Sequence, residues 1–184
     1  MRTAHQIYQK GLTPGKSGNI SMKTAGKALN KEVILITPSG VSLRDLNLKN
    51  VVVTDLNGTK LEGEGVPSSE LHMHLEIYRQ RNDIKAVVHS HSPYATGFSF
   101  SDAKIPCLEG FGEIKDPYIK EVDYATPGSG ELVKLTSNGL KNDDVLILKS
   151  HGVLTIGPDL DEAVLLAEFT ESCAKTGFIS HTLK

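Results

Sequence analysis

The chain has 184 residues, with 20 Lys and Arg against 22 Asp and Glu, and 39% of its residues are hydrophobic. That length fits one domain with an ordinary core, and the near-balanced charge excludes a general binder of nucleic acid or other polyanions. No apolar run approaches the ~18 residues of a membrane span, and residues 1–6 lack the apolar core of a signal peptide. Cys107 and Cys173 stand far apart with no CxxC, so they read as free thiols and not as a disulfide frame or zinc knuckle. The expectation is a single cytoplasmic domain over residues 1–184 that engages neither nucleic acid nor membrane.

Thr3 to Lys10 reads as a short helix, followed by a turn-rich loop, Thr13-Pro14-Gly15-Lys16-Ser17-Gly18-Asn19. Glu32 to Thr37 is an almost continuously apolar strand ended by Pro38-Ser39-Gly40. Ser42-Leu43-Arg44-Asp45 carries a capping Ser and a first-turn acid. Asn50 to Leu56 and Thr59 to Glu62 flank Asn57-Gly58, the strongest hairpin signal in the chain. A helix opens at Pro67-Ser68-Ser69 and runs to about Gln80, with Leu71, Leu75 and Tyr78 on its core face. Ile84 to His89 is a strand, and a short helix follows Ser92-Pro93 to about Ser101. Ile105 to Asp123 is rich in Gly and Pro, with two short strands at most. Then come a helix over Gly128 to Leu140, strands over Asp144 to Lys149 and Val153 to Ile156, and a last helix from Pro158 to Thr176 with Gly177 as its stop. The pattern predicts a mixed or antiparallel sheet with helices on both faces. Neither GxGxxG nor GxxxxGK[ST] occurs, so a Rossmann or P-loop fold is not expected.

In Val87-Val88-His89-Ser90-His91 the two histidines are two apart, and a strand end projects both to one side. They form either a chelate or a pair of ordinary surface or core histidines. Ser150-His151-Gly152 follows another strand, and a third imidazole there would complete a three-histidine site with an open position. Ser68 and Ser69 at a helix start offer hydroxyls beside unpaired N–H groups, which suits an anion, although Ser68 as a plain cap is the simpler reading. Glu70 either favours the helix dipole or faces the metal. Glu70 and His74, four apart on the helix, form a rival metal pair, while His72 lies on another side and reads as an ordinary helix residue.

Taken in order, Gly18-Asn19-Ile20-Ser21, Ile36-Thr37-Pro38-Ser39-Gly40, Pro67-Ser68-Ser69-Glu70, His89-Ser90-His91 and His151-Gly152 resemble the class II aldolase/adducin family. The resemblance runs from about Tyr8 to Lys175. It implies a three-layer α/β/α sandwich around a mostly antiparallel central sheet, assembled as a homotetramer with active sites between subunits. It implies one zinc ion per subunit on His89, His91 and His151, with Glu70 as the acid/base and as a further ligand when the site is empty. It also implies that Gly18, Asn19, Ser39, Gly40, Ser68 and Ser69 hold a substrate phosphate.

The activity so implied is a lyase that cleaves a phosphorylated ketose reversibly to dihydroxyacetone phosphate and an aldehyde such as lactaldehyde. A pentulose-phosphate 4-epimerase and a methylthioribulose-phosphate dehydratase are alternatives, although the epimerase pattern has Asp where this chain has Glu70. A metal-free, adducin-like scaffold is disfavoured because the three histidines and Glu70 are all present. The chain departs from the fuculose-phosphate-cleaving pattern in two places. The tail that carries one tyrosine is missing after Lys184, and the other tyrosine would fall near Gly110 or Phe111. Tyr94 and Tyr124 are therefore candidate proton donors, each otherwise a packing residue, with water in an open site as the remaining candidate.

Overall fold

The computed structural model describes residues 1–26, 31–108 and 116–183. Among these, eight strands make one sheet: β1 (Asn19–Gly26), β2 (Lys31–Ile36), β3 (Val52–Thr54), β4 (Lys60–Glu62), β5 (Ala86–Ser90), β6 (Glu121–Val122), β7 (Val145–Leu148) and β8 (Gly152–Gly157). Their order is β4-β3-β2-β1-β5-β8-β7-β6. Neighbours run antiparallel throughout, apart from the parallel pair β6 and β7, so the sheet is mixed and mostly antiparallel. The helices are α1 (Arg2–Gln9), α2 (Leu71–Gln80), α3 (Pro93–Ser99), α4 (Gly130–Gly139) and α5 (Leu160–Thr182). No helix among the described residues is long and apolar enough to cross a membrane.

The layers follow from side-chain alternation along the central strands. Val87, Leu146, Leu148, Leu154 and Ile156 point to the face where α2 and α4 bring Leu71, Leu75, Tyr78 and Leu132. Their neighbours point the other way. Ala86 and Val88 meet α1 and α5, and Val145, Ile147 and Val153 meet α3 and α5. Covered on both faces, β5, β7 and β8 are wholly buried, and their sequences are mostly apolar, unbroken in β7 and interrupted by His89 and Ser90 in β5 and by Thr155 in β8. Each such Val, Leu or Ile contributes about 1.5–3 kcal/mol when fully withdrawn from water.

Several expectations need correcting. β1 was not expected as a strand, because its inward positions are polar: Asn19, Ser21 and Lys23 are all buried. The helix expected from Pro67 begins at Leu71, with Glu70 at the N-cap and Ser68 and Ser69 in the turn before it. Ser68 caps nothing in the helix; its Oγ accepts from the Glu70 N–H at 3.2 Å. The Asn50–Leu56 strand shortens to β3, although the hairpin with β4 forms as expected.

The expected stop at Gly177 is also wrong, because α5 runs through it to Thr182. A Cβ at Gly177 would lie 2.9 Å from Pro106 Cδ, so the glycine admits a neighbouring segment instead of ending the helix. Of the Gly/Pro-rich stretch, β6 and a bridge between Pro106 and Tyr118 are described, whereas Gly110 and Phe111 lie outside the described residues.

Candidate active site

The register of β1 against β5 places Asn19 directly opposite His89, on the face that α2 covers. His89 and His91 stand at the end of β5. His151 occupies the turn between β7 and β8, where Ser150 takes a left-handed φ of 54° to reverse the chain. That turn is pressed against β5, and a Cβ on Gly152 would come within 2.5 Å of the Ser90 carbonyl oxygen. On the other side, Leu12 O accepts from the His91 N–H at 2.9 Å. Gly18, at φ 72°, packs so closely on the His89 carbonyl that a Cβ would sit 2.6 Å away.

These constraints converge the three rings. His89 Nε2 is 3.0 Å from His91 Nε2 and 3.2 Å from His151 Nε2. Three nitrogens on a tetrahedral ion at ~2.0–2.1 Å stand roughly 3.3–3.4 Å apart, close to this spacing. Hydrogen bonding alone cannot satisfy the cluster. His89 Nδ1 faces the Val153 carbonyl oxygen at 2.9 Å and must donate to it, which leaves a single lone pair on Nε2 for two neighbouring rings. Among the described residues, this is the group of His, Cys, Asp and Glu placed to hold an ion.

Glu70 completes the site from the start of α2. Its Oε2 is 3.3 Å from His89 Nε2 and its Oε1 is 3.5 Å from His151 Nε2. Oε1 is buried with no hydrogen-bond partner, as is His151 Nδ1. An orphaned carboxylate oxygen beside three facing lone pairs is the donor set a cation would complete, and imidazole with carboxylate suits zinc. Burial lowers the pKa of His91 to about 3 and that of His151 to about 4, with the neighbouring His89 adding to it. Both rings are therefore neutral near pH 7, as a metal ligand must be. Burial pushes the Glu70 carboxyl up, but His89, the Asn19 amide, His151 and His74 together outweigh it and hold the carboxyl below its usual range.

The turns with the candidate phosphate residues meet at the same end of the sheet. Pro38 bridges Pro67, Ser39 N–H donates to Val66 O at 2.8 Å, and Ser68 N–H donates to Thr37 O at 3.3 Å. Thr37 N–H in turn donates to Ile20 O at 3.0 Å, tying the turn to β1 beside Gly18 and Asn19. Gly40 has φ 73° and open space where a Cβ would point. Ser39, Gly40 and Ser69 are exposed, whereas Ser68 is buried.

The tyrosines are placed differently. The Tyr94 ring lies 5.7 Å from that of Phe178 and lines a groove of about 1100 Å³ between α3 and the end of α5; none of the three histidines lines that groove. Tyr124 is 55% exposed, and it precedes the turn whose Gly128 lies against Ser69.

His74 does not reach the metal cluster. It is wholly buried beneath β1, with Nε2 2.6 Å from Asn19 Oδ1 and Nδ1 2.7 Å from Ser21 Oγ. Sequence reasoning missed Ser21 as its polar partner, and the Tyr78 hydroxyl that bonds Ser21 in turn. The available signal was the alternation of small polar residues in Asn19-Ile20-Ser21 opposite a helix histidine.

Residues 1–177 match the family described as Class II Aldolase and Adducin N-terminal domain. An L-fuculose phosphate aldolase of Methanococcus maripaludis strain C5 is 39% identical over 183 residues, covering 100% of this chain and 96% of that protein. A 3-oxo-tetronate 4-phosphate decarboxylase of Haemophilus influenzae is 32% identical, covering 97% of this chain and 84% of that protein. Among solved structures, an L-fuculose 1-phosphate aldolase superposes with a TM-score of 0.85 at 29% identity, over 99% of this chain and 84% of that one. With its metal-capable histidines and Glu70 in place, the chain belongs to the class II aldolase and adducin family, as one of its lyases.

Proposed function

We propose that the protein is a zinc-dependent aldolase that cleaves a ketose 1-phosphate reversibly to dihydroxyacetone phosphate and a short aldehyde. The observation that carries this reading is the convergence of three imidazole Nε2 atoms with both oxygens of one buried carboxylate. His89, His91 and His151 would hold the ion, which when bound supplies Lewis-acid polarisation of the substrate's ketone and adjacent hydroxyl oxygens.

Glu70 does the proton work. In the condensation direction its carboxylate removes a proton from the hydroxymethyl carbon of dihydroxyacetone phosphate. The electron pair left on that carbon forms the bond to the aldehyde carbon, and the aldehyde oxygen takes up a proton. In cleavage the same carboxyl returns the proton to carbon. A carboxyl held below its usual range is ionised and ready as the base. Gly18, Asn19, Ser39, Gly40, Ser68 and Ser69 would receive the phosphate, whose binding energy positions carbons remote from it. The proton for the alkoxide is assigned to water, because Tyr94 is committed to the groove beside α5. Tyr124 is the side chain to test against that assignment. The working unit is taken to be a cytoplasmic homotetramer with sites between subunits, as the family resemblance implies.

A panel of ketose 1-phosphates, with dihydroxyacetone phosphate release measured on the zinc-loaded protein, tests the reading. Release from at least one of them is expected. Carbon dioxide release from a 3-oxo sugar-acid phosphate, without any aldol cleavage, would replace it with the decarboxylase reaction.

A further inference from the structure

Behind the candidate active site, a second set of buried polar groups runs from Glu70 into the core. Glu70 Oε2 lies 2.9 Å from Asn19 Nδ2, and Asn19 Oδ1 lies 2.6 Å from His74 Nε2. His74 Nδ1 lies 2.7 Å from Ser21 Oγ, which lies 2.8 Å from the Tyr78 hydroxyl. Asn19, Ser21, His74 and Tyr78 are each no more than 6% exposed. From these contacts we propose that His74 is a positioning residue: through the Asn19 amide it fixes the orientation of the Glu70 carboxylate.

The polarity of the chain follows from donor and acceptor inventory alone. An ionised carboxylate only accepts, so Asn19 must turn its Nδ2 towards Glu70. Its Oδ1, which only accepts, then faces His74, so His74 must carry its proton on Nε2. Burial lowers the His74 pKa to about 3, so the ring is neutral and its Nδ1 accepts from the Ser21 hydroxyl. Ser21 Oγ in turn accepts from the Tyr78 hydroxyl. Every hydrogen in the chain therefore points towards Glu70. If Asn19 flipped, an amide oxygen would meet a carboxylate oxygen and an amide N–H would meet an imidazole N–H, breaking two buried hydrogen bonds. His74 thus locks Asn19 in one orientation and restrains Glu70 Oε2, while Oε1 has no hydrogen-bond partner.

The kinetic half of this proposal rests on the aldolase reading; the structural half does not. On the zinc-loaded protein, ¹⁵N NMR of the imidazoles should show His74 as the neutral Nε2–H tautomer at pH 7. His74→Gln keeps an N–H donor within reach of Asn19. His74→Asn is too short to reach Asn19 but still accepts from Ser21. Both variants lose the same ring packing, so a purely structural role would depress kcat and thermal midpoint alike in the two. The expected result is kcat within a few-fold of wild type for His74→Gln and lower by about 10-fold or more for His74→Asn, with zinc content retained in both. Equal kcat in the two variants, or an Nδ1–H tautomer in the unmutated protein, would overturn the proposal. If His74→Asn does not fold, the tautomer decides alone. A wild-type protein inactive on every ketose phosphate would refute the aldolase reading and leave the tautomer test standing.

Discussion

Two buried polar clusters meet at Glu70, and they differ in one respect. On the inner side, Asn19, His74, Ser21 and Tyr78 satisfy one another in an unbroken chain of hydrogen bonds. On the outer side, His89, His91 and His151 turn nitrogens towards one another at 3.0 and 3.2 Å, and Glu70 Oε1 has no partner. Each cluster contains a wholly buried histidine, His74 in one and His89 in the other, so burial does not distinguish them. Closure does: a polar cluster that satisfies itself is scaffold, and one that leaves lone pairs facing each other awaits a ligand.

The sharpest way to break that comparison is to remove the ligand or its holders. Chelation of the zinc-loaded protein should abolish dihydroxyacetone phosphate release, and stoichiometric zinc should restore it. His89→Ala should lose bound metal, measured by elemental analysis, and activity by ~10³-fold or more, since a catalytic ion is worth several kcal/mol and each 1.4 kcal/mol is tenfold. Full activity in a metal-free sample would show that the outer cluster is not waiting for an ion at all.

Glu70 belongs to both clusters, so its substitution tests which one it serves. Glu70→Gln keeps the size and removes the charge. As a proton shuttle it should lose roughly 10²-fold or more in kcat while zinc content holds. If zinc content falls together with rate, Glu70 is chiefly a ligand. Unchanged activity would dismiss both roles.

The two clusters were also unequally legible in the sequence. The outer one could be read because His89-x-His91 at a strand end and His151-Gly152 after another strand carry chemistry in their residue types and spacing. The inner one could not. Ser21 and Tyr78 are common residues, and their partnership with His74 exists only once β1 lies against β5 and beneath α2. β1 was missed because its α2-side face is polar, Asn19, Ser21 and Lys23, although Ile20 and Met22 alternate with them on the other face. The strands β5, β7 and β8, buried on both faces, and the Asn57-Gly58 hairpin were legible because local pattern and tertiary role agree. Gly177 was misread because a glycine admitting Pro106 and a glycine ending a helix look alike in one dimension.

Acid should strain both clusters at once. His74 and His91 titrate at about 3 and His151 at about 4 in the folded chain, against ~6.5 when unfolded. Below pH ~6.5 the unfolded chain therefore binds more protons than the folded one. The stability these groups confer is complete above that pH and is lost progressively as pH falls towards 4 and 3. The lowered Glu70 carboxyl adds loss of the same sign at the acid end. Urea midpoints of the metal-free protein should accordingly decline from pH 7 through 6 and 5 to 4. A flat profile would mean that these rings accept protons without cost, and the distinction between closed and open clusters would lose its electrostatic basis.

The smallest effect concerns the opposite face of the sheet, where α5 packs. Glycine inside a helix is ordinarily unfavourable, and Gly→Ala gains about 1 kcal/mol from propensity. At Gly177, however, an added Cβ would lie 2.9 Å from Pro106 Cδ, 3.1 Å from Pro106 Cγ and 3.6 Å from Phe98 Cζ. The proline ring is rigid and cannot rotate away as a long side chain would, so the neighbouring segment must shift. Overpacking of this kind costs about 1–3 kcal/mol. Gly177→Ala should therefore lower stability by up to about 2 kcal/mol, read as a few degrees in the thermal midpoint at 2–4 °C per kcal/mol for a chain of roughly this size. Because the His89, His91 and His151 cluster is built from the other side of β5 and β8, zinc content and kcat should not change. A higher midpoint would show that the Pro106 segment yields freely, making the groove beside α5 the soft region of the molecule. A lower midpoint with loss of zinc would show that packing on this face reaches through the sheet to the metal cluster.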